Sequence, residues 1–170
     1  MAHDAVTYLV DPGIYCTDLH QFLTEPEREQ ALQYQTAIFQ QGFVVSRSIL
    51  KHILAEILRR NPSDIILVSK KGERIQVRDH PNVFISISHT GTWIAISVGK
   101  QKLCNDIEEV RTALYKKINT SPLFAAYTCS GGTEHIRHVI QFWTMVEAYA
   151  KLYDSNPYPL LNRCSPFRDA

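Results

Sequence analysis

Val83-Phe84-Ile85-Ser86-Ile87-Ser88-His89-Thr90-Gly91-Thr92-Trp93-Ile94-Ala95-Ile96-Ser97-Val98 is the stretch from which the fold is read. Successive strand side chains point to opposite faces, so Val83, Ile85 and Ile87 share one face and Phe84, Ser86 and Ser88 the other. His89-Thr90-Gly91 supplies a turn, and Trp93 to Val98 returns as the hairpin partner. Gly99-Lys100 turns again, predicting a further strand from Lys102 to Glu108. That strand would set Asp106 and Glu108 side by side with Ile107 turned inward.

Outward from the hairpin, helices flank strands. Val6 to Val10 reads as an opening strand closed by Asp11-Pro12-Gly13. Thr24-Glu25-Pro26-Glu27 is a helix start, with Thr24 as cap and Glu27 closing a capping box, and the helix is expected to stop at Gly42. A second helix is expected from Ser46, as N-cap, to Arg60. Its residues Ile49, Leu50, Ile53, Leu54, Ile57 and Leu58 make a core-facing stripe, and Asn61-Pro62-Ser63 ends it. Ile65 to Val68 and Arg74 to Val77 read as strands about a turn at Lys71-Gly72-Glu73. Pro122 and Ser130-Gly131-Gly132 predict a short helix and a loop beyond Arg111. From Thr133 to Tyr153 a long helix follows, with Ile136, Val139, Ile140, Trp143, Val146 and Ala150 mostly inward, and Asp154-Ser155-Asn156-Pro157-Tyr158-Pro159 stops it.

On that last helix Glu147 and Lys151 stand four apart and share a face. A carboxylate pair facing a helix that offers one more carboxylate and one cation suits a hard divalent metal holding phosphates. Isolated D-x-E pairs and i,i+4 ion pairs are ordinary surface features, so the flanking sequence has to decide. Arg47 falls in the first turn expected of the Ser46 helix, where it would add a guanidinium to backbone N–H groups aimed at an anion. Ser86, Ser88 and His89 at a strand end allow a hydrolase triad on paper, but no strand-to-helix elbow surrounds either serine. Glycine-rich phosphate loops are absent, which lowers kinase, NTPase and dinucleotide readings. A phosphohydrolase would need a water-activating cluster that the sequence does not present.

The whole chain narrows the class. Its 170 residues suffice for one well-cored domain or two small halves, and 45% hydrophobic with 21% charged residues is ordinary globular composition. A formal charge of +1 argues against a nucleic-acid coat protein or a polybasic membrane binder. No apolar stretch is long enough to span a bilayer, and Met1-Ala2-His3-Asp4 lacks the pattern of a secretory signal, so a cytoplasmic protein is expected. Cys16, Cys104, Cys129 and Cys164 contain no C-x-x-C pair, signalling neither zinc nor disulfides. Residues 1–43 carry one Arg against six Asp and Glu, whereas residues 44–80 carry eight Lys and Arg against four acids.

Four stretches together resemble the surfactin-synthetase type of 4′-phosphopantetheinyl transferase. Phe43-Val44-Val45-Ser46-Arg47-Ser48-Ile49-Leu50-Lys51 resembles the family's arginine-bearing helix start, and Phe84 to Thr90 its F-N-x-S-H-S/T strand end. Asn105-Asp106-Ile107-Glu108-Glu109-Val110-Arg111 resembles the second half of G-x-D-x-E and its tail, and Phe142 to Lys151 resembles W-x-x-K-E-A-x-x-K. The resemblance covers roughly residues 43–151 in the family's order.

It implies an α+β fold of two similar α/β halves about a pseudo-twofold, residues 1–102 and 103–170, with the second half shortened. Coenzyme A would lie between them. Arg47 and His89 would hold its 3′-phosphate end, with Ser88 and Arg74 as further contacts. Asp106, Glu108 and Glu147 would bind Mg²⁺ on the pyrophosphate, and Lys151 would lie near the bridging phosphates. The reaction would move the phosphopantetheine arm to a serine of an acyl or peptidyl carrier protein and release 3′,5′-ADP. Glu147 or a metal-bound water would serve as base, with Asp106 and Lys151 completing the catalytic set. A monomer is expected, with neither nucleic acid nor membrane as partner. The rival implied is a non-catalytic relative that binds coenzyme A or a carrier protein.

The chain departs from the family pattern at several positions. Cys104 and Asn105 replace a glycine and an aliphatic residue, and Val146 replaces the first lysine of K-E-A. Gly72-Glu73-Arg74 stands for a G-K-P turn, with Arg74 as stand-in contact, and only 19 residues follow Lys151. If that first lysine assists the leaving group, Val146→Lys is expected to raise activity or leave it unchanged.

Overall fold

A computed structural model describes residues 5–14, 18–69, 74–118 and 133–157. They form a mixed α+β protein with two small sheets and several helices. The chain divides into two units, residues 1–105 and 106–170.

In residues 1–105 the expected hairpin is present as β4 (Phe84–Thr90) and β5 (Trp93–Gly99), paired from Phe84↔Gly99 to Thr90↔Trp93. The opening strand, β1 (Ala5–Val10), lies antiparallel on the other side of β5, so the sheet order is β1-β5-β4. Two short strands, β2 (Leu67–Val68) and β3 (Gln76–Val77), make a separate antiparallel pair. The turn expected at residues 71–73 lies outside the described residues.

Two helices precede the hairpin, with boundaries that correct the sequence reading. Helix α1 (Glu25–Leu32) starts at the Thr24 cap, where Thr24 N donates to Glu27 Oε2 at 2.8 Å as the capping box requires. It ends at Leu32 rather than continuing to Gly42. Thr36 then caps α2 (Ala37–Leu58), its Oγ1 accepting from Phe39 N at 3.4 Å. Gly42 is therefore inside a helix, where a Cβ would meet open space, and Ser46 is not a cap. Ser46 is buried in mid-helix and donates its hydroxyl back to Phe43 O at 2.9 Å.

The apolar stripe decides this outcome. Phe43, Val44, Leu50, Ile53 and Leu54 are all buried, and they pack with Val10, Ile85, Ile94, Ile96 and Val98 of the sheet into one core. Glycine costs about 1 kcal/mol in a helix interior, which burial of the neighbouring side chains outweighs. Arg59, in the left-handed region at φ 54, closes α2 before Asn61-Pro62. Ile57 is exposed, so the stripe is narrower than its spacing suggested.

Lys102 to Glu108 forms no strand, a second correction. The reason is at Asn105. Its N–H donates to Ser86 Oγ at 3.0 Å, and its Nδ2 donates to Ser86 O at 3.2 Å and Ser97 Oγ at 2.8 Å. Thr7 Oγ1 pairs with Ser97 Oγ at 2.8 Å, so a polar row crosses all three strands and ends on Asn105. Asn105 meets the sheet largely through its side chain instead of through a backbone ladder. Asn105→Ala is expected to cost about 1–3 kcal/mol, because buried Ser86 and Ser97 lose partners, and urea denaturation would measure it.

In residues 106–170 the described elements are helices, α3 (Thr112–Ile118) and α4 (Thr133–Leu152). Ile118, Val139 and Trp143 form an apolar cluster, with Leu114, Tyr115, Phe142 and Val146 packed against it. No strand occurs among the described residues here, so the expected α/β likeness to the first half is not seen in them. The breaks expected at residues 122 and 130–132, and the tail from residue 158, lie outside the described residues. Among the described residues no helix is long and apolar enough to cross a membrane.

Candidate functional site

Asp106, Glu108 and Glu147 converge within residues 106–170. Each offers a carboxylate oxygen, and these atoms lie within 4.8 Å of one another. Asp106 and Glu108 come from the irregular chain before α3, two residues apart and without a sheet ladder. Glu147 comes from α4, whose inner residues Val139, Trp143 and Val146 pack on α3 and so fix its rotation.

The electrostatics of the cluster follow from that convergence. Lys151, one turn beyond Glu147, donates from Nζ to Asp106 Oδ1, a pair in which the Asp106 side chain is 4% exposed and the lysine 40%. Arg111 approaches Glu108 and Glu109 at 3.6 Å each. Glu147 is pushed up to a pKa of about 7, first by burial and then by the Asp106 charge and a hydrogen bond to Asp106, with Lys151 pulling the other way. Lys151 thus offsets Asp106 and Glu147 and Arg111 offsets Glu108, while burial beside Asp106 favours the protonated form of Glu147. Three hard oxygen donors at this spacing fit Mg²⁺ or another oxygen-preferring divalent ion, with positions left over for phosphate oxygens.

A second feature lies in residues 1–105. A cavity of about 550 Å³ is lined by Tyr34, Phe39, Phe43, Arg47, His89 and Trp93 among others. Arg47 is buried, with its guanidinium 5.1 Å from the centre of the Phe43 ring one turn back. Its Nη1 has no hydrogen-bond partner among the described residues. Burial lowers the Arg47 pKa, and the Glu27 carboxylate raises it in part. Because α2 starts at Ala37, Arg47 stands mid-helix, where backbone N–H groups are already bonded. Any anion binding there is the work of the side chain, not of a helix end, which corrects the sequence expectation.

The candidate residues therefore separate into sets. Asp106, Glu108, Glu147 and Lys151 come together, and Arg47 and His89 line one cavity. Ser88 is buried on the opposite face of β4 from Ile87 and His89. Arg74 does not line the cavity and donates from Nη1 to Leu103 O at 3.1 Å. Val146 packs on the α3–α4 cluster. Val146→Lys is accordingly expected to lower stability by about 1 kcal/mol with no gain in activity, readable from a thermal melt beside an activity assay.

Sequence reading missed Glu27 and Lys51 as a charged pair. Lys51 is fully buried, its Nζ donating to Glu27 Oε2 at 2.6 Å and Phe22 O at 2.9 Å. The available signal was a lysine four residues beyond Arg47 between Leu50 and Leu54, a core position that rarely holds a charge. Tyr34, Phe39 and Trp93 as cavity walls carried no comparable signal.

No protein-family model matches the chain. It is similar to a phosphopantetheinyl transferase of a Thraustochytrium species, 24% identical over 168 residues, which covers 88% of this chain and 55% of that protein. The likeness is distant and spans most of the chain, and the chain spans about half the length of that relative.

Proposed function

We propose that the chain transfers the 4′-phosphopantetheine arm of coenzyme A to a serine hydroxyl of an acyl or peptidyl carrier protein, releasing 3′,5′-ADP. The observation that carries this reading is the convergence of Asp106, Glu108 and Glu147 with Lys151 beside them. The distant likeness to a phosphopantetheinyl transferase supports the same chemistry.

Mg²⁺ held by the three carboxylates would neutralise the pyrophosphate of coenzyme A as its bridge breaks. The chain's own groups do the rest. Glu147, whose carboxylate is ionised once a cation compensates the cluster, is the group proposed to accept the proton of the serine hydroxyl. The serine Oγ bonds to the phosphorus next to pantetheine, the bridging P–O bond opens, and the negative charge leaves on 3′,5′-ADP. Lys151, paired with Asp106, is proposed to offset the negative charge on that departing oxygen. Arg47 and His89 are the groups proposed for the 3′-phosphate, and Arg47 is a buried cation facing a cavity.

A second reading is a relative that binds coenzyme A or a carrier without transfer. It is favoured by Val146, which packs as an apolar residue where a lysine would be expected. Intact-protein mass spectrometry separates the two. Apo carrier proteins incubated with this protein, coenzyme A and Mg²⁺ are expected to gain one phosphopantetheine, and EDTA to prevent it. No gain, while a control transferase works in the same mixture, would favour the binding-only relative.

A further inference from the structure

Two cations and one carboxylate are buried together in residues 1–105. Lys51 is fully buried, and Glu27 and Arg47 are each more than nine-tenths buried. Lys51 Nζ and the Thr24 N–H and hydroxyl all converge on Glu27 Oε2. Arg47 feels the same carboxylate, yet its Nη1 and Glu27 Oε1 are both buried atoms without a hydrogen-bond partner among the described residues. One positive charge is left over, and Arg47 is the member of the three that lines the cavity. A buried unmatched charge is costly unless something of opposite sign compensates it.

We propose that the Lys51–Glu27 pair positions Arg47 for a phosphate by occupying the one carboxylate that would otherwise claim the guanidinium. Without Lys51, Glu27 and Arg47 would neutralise each other and the cavity would lose its charge. With Lys51, the surplus charge stays on the planar group that grips phosphate oxygens best, braced on Phe43. Lys51 and Glu27 are positioning residues, acting through Arg47. This role rests on the coenzyme A reading for its ligand, and on the buried cluster alone for its charge balance.

The test uses the full chain and calorimetric titration. Lys51→Met is expected to weaken coenzyme A binding about tenfold or more, leaving dephospho-coenzyme A, which lacks the 3′-phosphate, unaffected. Adding Glu27→Gln restores the surplus charge while keeping a capping side chain, so the double variant is expected to bind coenzyme A like wild type. A purely structural role would not give that recovery. Wild-type affinity in Lys51→Met, or no recovery in the double variant, overturns the proposal. Should Lys51→Met fail to fold, the double variant decides, with wild-type affinity supporting the proposal and lost affinity overturning it. If the wild type does not bind coenzyme A, that reading fails and the same variants are titrated with inorganic phosphate. Weaker phosphate binding in Lys51→Met with recovery in the double variant sustains the charge device, and equal or absent binding overturns it.

Discussion

Asp106→Ala is expected to abolish Mg²⁺-dependent coenzyme A binding and to cut carrier modification by about 10²-fold or more, with the fold retained. The first half of that expectation follows from geometry, since Asp106 is one of three carboxylates that meet within 4.8 Å and is the acceptor of Lys151. Removing it leaves two ligands and releases the lysine. The second half follows from what Asp106 does to its neighbours. Its charge and its hydrogen bond both help hold Glu147 protonated, so deleting it relieves repulsion. Lys151 is 40% exposed and can turn to water, unlike a fully buried partner. Stability is therefore expected to change by less than about 1 kcal/mol, the usual worth of a pair with one exposed partner. Calorimetry with Mg²⁺ and coenzyme A, beside a thermal melt, checks both halves. Unchanged metal-dependent binding would remove the carboxylates as the metal site.

What the sequence made legible was local. The β4–β5 hairpin follows from period-two alternation, though its turn is Gly91-Thr92, with His89 and Thr90 still paired to Ile94 and Trp93, and the Thr24–Glu27 capping box forms as read. Helix α4 matches its 3.6-residue period, with Val139, Ile140, Trp143 and Ala150 buried. Failures came where tertiary contacts outweigh local signals. Gly42 and Ser46 look like a stop and a start, yet Phe43, Val44 and Leu50 bury on one core and draw the helix straight through. Asp106 and Glu108 meet as expected, but the strand expected to hold them is replaced by Asn105 side-chain bonds to Ser86 and Ser97, which periodicity cannot report. The Glu27–Lys51 pair spans 24 residues, beyond any local rule. The meeting of the carboxylates was thus more legible than the scaffold around them, because a spacing of two or four residues fixes which side chains are neighbours whereas a helix boundary depends on everything packed against it.

Glu147→Gln is expected to lower transfer by about 10²–10⁴-fold and to erase the pH dependence expected of the wild type. The sign is fixed by the direction of the shift. Glu147 has an ordinary value of 4.5 and is raised to about 7 in the folded chain, so between those values the folded state holds a proton that the unfolded state has lost. Without metal, the stability contributed by this group is full below pH 4.5, falls as pH rises, and levels off above about 7. Mg²⁺ bound by the three carboxylates would reverse the trend, because it would replace the proton as the cluster's compensating charge. Added Mg²⁺ should raise the melting temperature more at pH 8 than at pH 5.5, where a proton must first be displaced from Glu147. Glutamine neither titrates nor offers an anionic oxygen, so its melts should respond less to pH and only weakly to Mg²⁺. Identical pH slopes in wild type and Glu147→Gln would mean that another group sets the dependence. Such a result would leave Glu147 a metal ligand at most, and the serine proton would then need a different acceptor.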